Sequence, residues 1–176
     1  MDGYFHGPQG DISWHRHGAE ENKYAVKGLR SESILLFGRV TYEMMAGYWP
    51  SPSAMKNDPV VAERMNRADK IVFSRTLKKA TWNNTQLVGG NIGEAIRKMK
   101  KTPGKDMTLL GSGNILTQLA EQDLIDEYQI MVDPVALGAG TPIFQGLKRK
   151  LDLKLAASKK FKSGVVLHRY LPLQKA

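Results

Sequence analysis

Apolar residues in this chain fall mostly in short unbroken runs rather than alternating with polar ones. Three runs share one design: Ile34-Leu35-Leu36-Phe37-Gly38-Arg39-Val40-Thr41, Ile71-Val72-Phe73-Ser74-Arg75-Thr76 and Leu109-Leu110-Gly111-Ser112-Gly113-Asn114. In each, an aliphatic stretch ends in small or polar residues and passes into a predicted helix. Strands apolar at every position are buried on both faces, as in a mostly parallel sheet covered by helices. The turns leaving such strands gather on one sheet edge, where helix N-termini expose unpaired N–H groups to an anion. Two of the three turns carry an arginine and two carry a threonine. This pattern predicts a site for a phosphorylated dinucleotide.

The rest of the chain fills in around these runs. Residues 1–18 read as a strand end and a long loop, followed by a helix over 19–29. A strand over 33–37 leads into a helix over 40–47, which Trp49-Pro50-Ser51-Pro52-Ser53 breaks. A short helix over 59–68, with Pro59 at its first turn, precedes a strand over 70–74. A strand over 86–88 ends at Gly89-Gly90. Asn91 with Glu94 then forms a relative of the capping box, and Ile92, Ala95, Ile96 and Met99 make one buried helical stripe. Thr102-Pro103-Gly104 stops that helix. A strand over 107–110 feeds a helix that buries Ile115, Leu116, Leu119 and Ala120. A strand over 127–132 and a glycine-bearing loop precede a hairpin, 151–162 with 165–171, that turns at Ser163-Gly164. Met44, Met45 and Met65 fall on apolar helix faces and read as core. The pattern is that of an α/β protein with an antiparallel edge.

Composition narrows the choices. At 176 residues the chain suits a single domain spanning 1–176. Without cysteine it has no disulfide scaffold, thiolate nucleophile or cysteine metal site. No apolar stretch approaches the ~20 residues of a membrane helix. Met1-Asp2-Gly3-Tyr4-Phe5 lacks the basic and apolar regions of a secretory signal, so a cytoplasmic protein is expected. The net charge is +9, and residues 145–176 alone hold nine Lys or Arg against Asp152. Such lysines guard exposed strands and keep a protein soluble. Few aromatics are interleaved with them, so nucleic-acid binding has little support. His6, His15 and His17 include a His-x-His pair, but no third ligand recurs at a recognised spacing and no metal is expected. Ser74 and Ser112 follow strands without the Gly-x-Ser-x-Gly of a hydrolase elbow.

Singly these motifs say little, and Gly111-x-Gly113 lacks the third glycine of the dinucleotide fingerprint. Their order and spacing are more specific. The chain resembles the dihydrofolate reductase-like superfamily, most of all the branch holding the C-terminal reductase domain of bifunctional riboflavin-biosynthesis proteins. The stretches that carry the resemblance are 1–5, Leu36 to Glu43, Lys70 to Thr76, Leu109 to Leu116, and Pro134-Val135-Ala136-Leu137-Gly138-Ala139-Gly140-Thr141-Pro142-Ile143-Phe144. The resemblance implies a three-layer α/β sandwich with a mostly parallel mixed sheet and a C-terminal antiparallel hairpin.

It also implies NADPH. Gly38, Arg39 and Thr41 would lie beside the cofactor phosphates. Ser74, Arg75 and Thr76 would read the adenosine 2′-phosphate, and Gly111, Ser112, Gly113 and Asn114, with Ile115 and Leu116 behind, would hold the pyrophosphate. The physical case agrees: glycine lets backbone approach, helix ends present N–H groups, and arginine grips phosphate in a bidentate fork. The family's Asp-Gly segment opens a loop over nicotinamide and substrate, which makes Asp2, Gly10, Asp11 and Trp14 candidates for the substrate side. Glu20 and Glu21, six and seven residues past Trp14, are candidate proton donors with Asp2, although glutamates at a helix start also complement its dipole. The Leu137-Gly138-Ala139-Gly140 loop suits the substrate side or a dimer contact.

The implied activity is hydride transfer to a small heterocycle, of the 5-amino-6-(5-phosphoribosylamino)uracil reductase type. Dihydrofolate reduction is the enzymatic alternative, and a non-catalytic NADP-binding module is the alternative from another class. A homodimer is implied by resemblance. The family has a full first strand before its Asp-Gly segment, in the middle of the sheet. Here only the end of that strand is expected.

Overall fold

The computed structural model describes residues 1–16, 18–29 and 33–173. Strand β1 (Tyr4–His6) and a 3-10 turn (Pro8–Gly10) precede helix α1 (Ala19–Leu29). Then follow β2 (Ile34–Gly38), α2 (Arg39–Tyr48), α3 (Pro52–Asn57), α4 (Pro59–Arg67), β3 (Lys70–Phe73), β4 (Thr85–Val88), α5 (Ile92–Lys100), β5 (Met107–Leu109) and α6 (Gly113–Ala120). The chain closes with β6 (Tyr128–Val132), β7 (Thr141–Pro142), β8 (Leu153–Lys160) and β9 (Val166–Pro172). The α/β class read from the apolar runs is the class observed. Hydrogen bonds divide the strands into three sheets: a four-stranded parallel sheet ordered β4-β3-β2-β5, a three-stranded antiparallel sheet ordered β6-β9-β8, and the pair β1-β7. The expected mixed sheet is therefore distributed among separate ladders.

Contacts sort the chain into two compact units, Asn22–Leu116, and Met1–Glu21 with Thr117–Ala176. The first holds the parallel sheet. Leu35, Leu36 and Phe37 of β2 and all four residues of β3 are buried, as strands covered on both faces must be. Leu35, Phe37, Tyr42, Val61, Met65, Val72 and Trp82 form its core cluster. Each large side chain taken from water there contributes roughly 1.5–3 kcal/mol. Lys70 lies among them, 1% exposed. Its ammonium donates to the carbonyls of Met65 (2.8 Å), Asn66 (3.2 Å) and Ala68 (2.6 Å) at the end of α4, and sits 4.5 Å from the centre of the Trp82 ring. Those carbonyls have no partner inside the helix, so a cation suits them.

Two expectations are corrected in this unit. The break after α2 contains a helix of its own, α3: Pro52 occupies its first turn and the Ser51 hydroxyl accepts the Ala54 N–H at 3.2 Å. The run Ile71-Val72-Phe73 does not lead into a helix. The Ser74 hydroxyl accepts the N–H groups of Thr76 (3.1 Å) and Leu77 (2.9 Å), turning the chain toward β4 without regular structure. Trp82, on that connection, packs in the core. Its N–H and that of Thr81 both donate to the Tyr42 hydroxyl at 3.0 Å.

In the other unit, Phe161, Val165, Leu167 and Tyr128 are buried around the antiparallel sheet, and burial pushes the Tyr128 phenol up to about 12. Strand β8 is exposed from Lys154 to Lys160, which suits the lysines it carries. The N-terminal segment is anchored within this unit: the Met1 ammonium donates to Val135 O at 2.6 Å, and β1 pairs with β7. Gly140 (φ +148°) passes so close to His6 that a Cβ would stand 2.2 Å from its carbonyl oxygen, so only glycine fits.

Charge is also redistributed relative to the linear reading. The basic segment 145–176 shares its unit with enough Asp and Glu to cancel it. Residues 22–116 hold sixteen Lys and Arg against seven Asp and Glu, a net +9 equal to that of the whole chain. The excess belongs to the unit with the parallel sheet.

Candidate functional site

The parallel registers bring the strand ends together. Gly38 is level with Phe73, Leu36 with Leu109, and Phe73 with Val88. The turns that follow β2, β3, β4 and β5 therefore emerge on one edge. Three of them are the turns singled out in the sequence. The fourth, Gly89-Gly90, was read only as the end of a strand. Its position beside Ser74, whose N–H donates to Val88 O at 3.1 Å and whose carbonyl would lie 3.5 Å from a Cβ on Gly89, adds it to the same edge. A glycine pair between an apolar run and a capped helix was the available signal.

At the centre of the edge, α2 begins without a break from β2, with Gly38 as its N-cap. A Cβ on Gly38 would lie 3.0 Å from Ile115 Cγ1 and 3.2 Å from Ser112 Oγ. The Gly38 N–H donates to Ser112 Oγ at 2.7 Å, and Ser112 Oγ donates to Thr41 Oγ1 at 2.9 Å. Gly111 (φ +55°) and Ser112 (φ +62°) are both left-handed, which lets the chain leave β5 and start α6 with three residues between them. Gly38, Ser112 and Thr41 thus share one hydrogen-bonded series, Ile115 leaves no room for a side chain on Gly38, and a Cβ on Gly111 would touch Thr41. Gly113 and Asn114 form the opening turn of α6, with Leu116 next along the helix.

The two arginines differ in availability. Arg39 is exposed and its guanidinium is held by Glu43 one turn on, at 3.0 Å. Arg75 is exposed and makes no hydrogen bond or ion pair among the described residues. Ser74 and Thr76, its neighbours, are tied into the turn by the Ser74 hydroxyl, which lies 3.4 Å from Thr76 Oγ1. The edge therefore offers close-approach glycine, two helix N-termini and one free guanidinium, which is what a nucleotide diphosphate with an added phosphate requires. These residues fit NADPH.

The substrate-side candidates belong to the other unit and take up three separate attachments. The Asp2 carboxylate accepts the Gly138 N–H at 2.8 Å, and that bond holds it below the usual carboxylate range. Asp11 and Trp14 share one turn: the Asp11 carboxylate accepts the Ser13 N–H at 2.9 Å, which lowers its pKa, and the Trp14 indole donates to Asp11 O at 3.0 Å. Glu20 accepts the Lys162 N–H at 3.0 Å, and Glu21, 4% exposed, accepts from the Ser163 hydroxyl. Both glutamates thereby hold the turn between β8 and β9.

Sequence reasoning missed Asp133. It is buried at the end of β6, and its carboxylate takes the His15 Nδ1 at 2.8 Å and the Arg16 N–H at 2.8 Å. An acidic residue beside a proline just after an apolar strand was its only trace. Of the other histidines, His6 Nδ1 donates to Gly7 O at 3.0 Å and His17 lies outside the described residues.

Comparison with known proteins places the chain among relatives. The family model described as the RibD C-terminal domain matches residues 1–167. The Bacillus subtilis (strain 168) protein YyaP, itself uncharacterized, is 30% identical over 166 residues, covering 94% of this chain and 87% of that protein. A Shewanella sp. PV-4 protein assigned to riboflavin biosynthesis has a similar structure, with a TM-score of 0.76 at 20% identity over 99% of this chain and 94% of that one. So does the Thermotoga maritima diaminohydroxyphosphoribosylaminopyrimidine deaminase/5-amino-6-(5-phosphoribosylamino)uracil reductase, with a TM-score of 0.67 at 15% identity. That match covers 98% of this chain and 54% of the bifunctional enzyme. At these identities the structural likeness speaks for the fold.

Proposed function

Because the chain belongs to the RibD C-terminal domain family, a riboflavin-pathway-like reductase family, we propose that it is an NADPH-dependent reductase of a small heterocycle. The substrate class we infer is a ribosylated or phosphoribosylated aminopyrimidine, after the activity named for the Thermotoga protein. One observation carries the cofactor half: the Gly38, Thr41 and Ser112 hydroxyl-amide contact joins two helix starts on the edge where Arg75 stands free. The net +9 of that unit favours a polyanionic ligand and speeds its capture.

Bound NADPH supplies the hydride. The chain's own work is to hold it. The opening turns of α2 and α6 direct N–H groups at the diphosphate, Gly38 and Gly111 let backbone come close, and Arg75 grips the 2′-phosphate. The hydride would form a new C–H bond at the substrate carbon that accepts it, leaving NADP+, and a proton from an acid or water would complete the reduction.

Titrating the protein with NADPH and NADH, as wild type and as Arg75→Ala, tests this. NADPH is expected to bind at least about 10-fold tighter than NADH, and the variant to lose most of that preference. If neither nucleotide binds, or the preference survives the substitution, the reading is wrong. A second reading, a nucleotide-binding module without turnover, is favoured by the engagement of Asp2, Glu20 and Glu21 in backbone or hydroxyl bonds. Steady NADPH oxidation with an aminouracil substrate would exclude it.

A further inference from the structure

Ser112 stands in a conformation that a glycine would hold more cheaply. At φ +62° an L-residue carries about 1 kcal/mol or more of backbone strain, and Gly111 beside it shows that glycine suits the turn. What Ser112 has that glycine lacks is its hydroxyl, nearly buried and bonded at both ends. The oxygen accepts the Gly38 N–H at 2.7 Å. The proton goes to Thr41 Oγ1 at 2.9 Å rather than to Leu110 O, which is 3.5 Å away. Thr41 Oγ1 is thereby an acceptor, and its own proton has no acceptor among the described residues.

We propose that Ser112 is a positioning residue: it turns the Thr41 hydroxyl outward as a fixed donor to a diphosphate oxygen and withdraws the Gly38 amide from phosphate binding. This rests on the NADPH reading and reassigns two of its parts. Ser112, expected from the sequence to hold the pyrophosphate, and the Gly38 N–H become the support for Thr41. The Gly38 N–H, Ser112 O–H and Thr41 O–H form one polarised series, in which each bond strengthens the next. A donor already aimed before the ligand arrives loses little freedom on binding.

The experiment is a double-mutant cycle on the full chain with NADPH and NADH, using Ser112→Gly, Thr41→Val and both together. Thermal unfolding is measured on every variant. Ser112→Gly relieves the left-handed strain, so its Tm should stay within a few degrees of wild type while NADPH affinity falls about five- to twenty-fold. Thr41→Val should fall by a similar factor. The double variant should be no more than about two-fold weaker than the weaker single, because both remove links of one series. The NADPH to NADH ratio should not move, since the diphosphate is common to both. Losses that multiply, or Ser112→Gly binding as wild type does, would overturn the positioning role while leaving the cofactor reading intact. Absence of nucleotide binding by the wild type would instead remove the cofactor reading, and this inference with it.

Discussion

Glu43 sets both carboxylate oxygens against one nitrogen of Arg39, 3.0 and 3.3 Å from Nη1. The pair joins successive turns of α2 and is about half exposed on both sides. Exposed pairs at this spacing contribute roughly 0.3–0.5 kcal/mol. The carboxylate therefore does more to occupy the guanidinium than to hold the helix. A phosphate at the start of α2 has to compete with Glu43 for Arg39. Glu43→Gln is expected to raise NADPH affinity about two- to five-fold at low salt, the gain fading as salt screens the charge. Tm should change by no more than about 2 °C. Fluorescence titration at two ionic strengths checks this, and weaker binding in the variant would place Arg39 away from the phosphates.

Glu21 connects the start of α1 to the hairpin turn by accepting the Ser163 hydroxyl, and Ser163 Oγ in turn accepts the Val165 N–H at 3.2 Å. Removing a buried acceptor that two other groups depend on costs about 1–3 kcal/mol. Glu21→Ala should lower Tm by several degrees. Glu21→Gln keeps an acceptor and should lose less. If Glu21 only anchors the turn, NADPH oxidation per folded molecule should survive in Glu21→Gln. A fall of about 100-fold there would make Glu21 a proton donor instead.

Much of the fold was legible because burial on both faces leaves a mark that no short polar segment imitates. Leu35-Leu36-Phe37 and Ile71-Val72-Phe73 are strands for the reason the sequence suggested, and α5 begins at the cap predicted, with Asn91 Oδ1 accepting the Glu94 N–H at 3.1 Å. The misreadings have local causes. Ser74 could open a helix or close a turn, and only the two N–H groups that reach its hydroxyl decide. Pro52 looked like a breaker but served as a first-turn residue behind Ser51. Within the site, residue types predicted the edge but not who bonds to whom. Arg39 and Arg75 are equivalent in sequence, yet Glu43 distinguishes them. Asp133 was missed because its partners, His15 and Arg16, lie more than a hundred residues away. A summed charge along the chain likewise hides where the charge resides in space.

Asp133 accepts two donors through two different oxygens, which a carboxylate does and a carboxamide does not. Asp133→Asn either sets an NH2 group against the Arg16 N–H or, if the oxygen faces Arg16, forces the His15 ring into the tautomer whose Nδ1 accepts. The expected cost is about 1–3 kcal/mol, a fall in Tm of several degrees. Hydrogen exchange at the Arg16 amide should quicken in step. Unchanged exchange at Arg16 would mean that the loop ahead of α1 is held by something other than Asp133.

Lys70 and Trp82 give the parallel sheet a measurable pH dependence. Burial pulls the Lys70 ammonium down to about 8, against the smaller upward pull of Asp69. The unfolded chain keeps an ordinary lysine near 10.5, so between those values it binds more protons than the folded one. Stability from this group therefore rises with pH from about 8 to 10.5 and is flat below 8, where both states are protonated. The full difference is up to about 3 kcal/mol. The comparison that isolates this group is with Lys70→Met. That variant should be less stable than wild type at pH 7, because three helix-end carbonyls and the indole face lose their cation. Denaturant unfolding of both proteins from pH 7 to 10.5 measures the effect. The gap between them should widen as pH rises through 8, since the neutral amine of Lys70 still donates to the carbonyls without the desolvation penalty of the ion. A gap that stays constant or narrows would show that the carbonyls and the ring hold the proton on Lys70 well above pH 8.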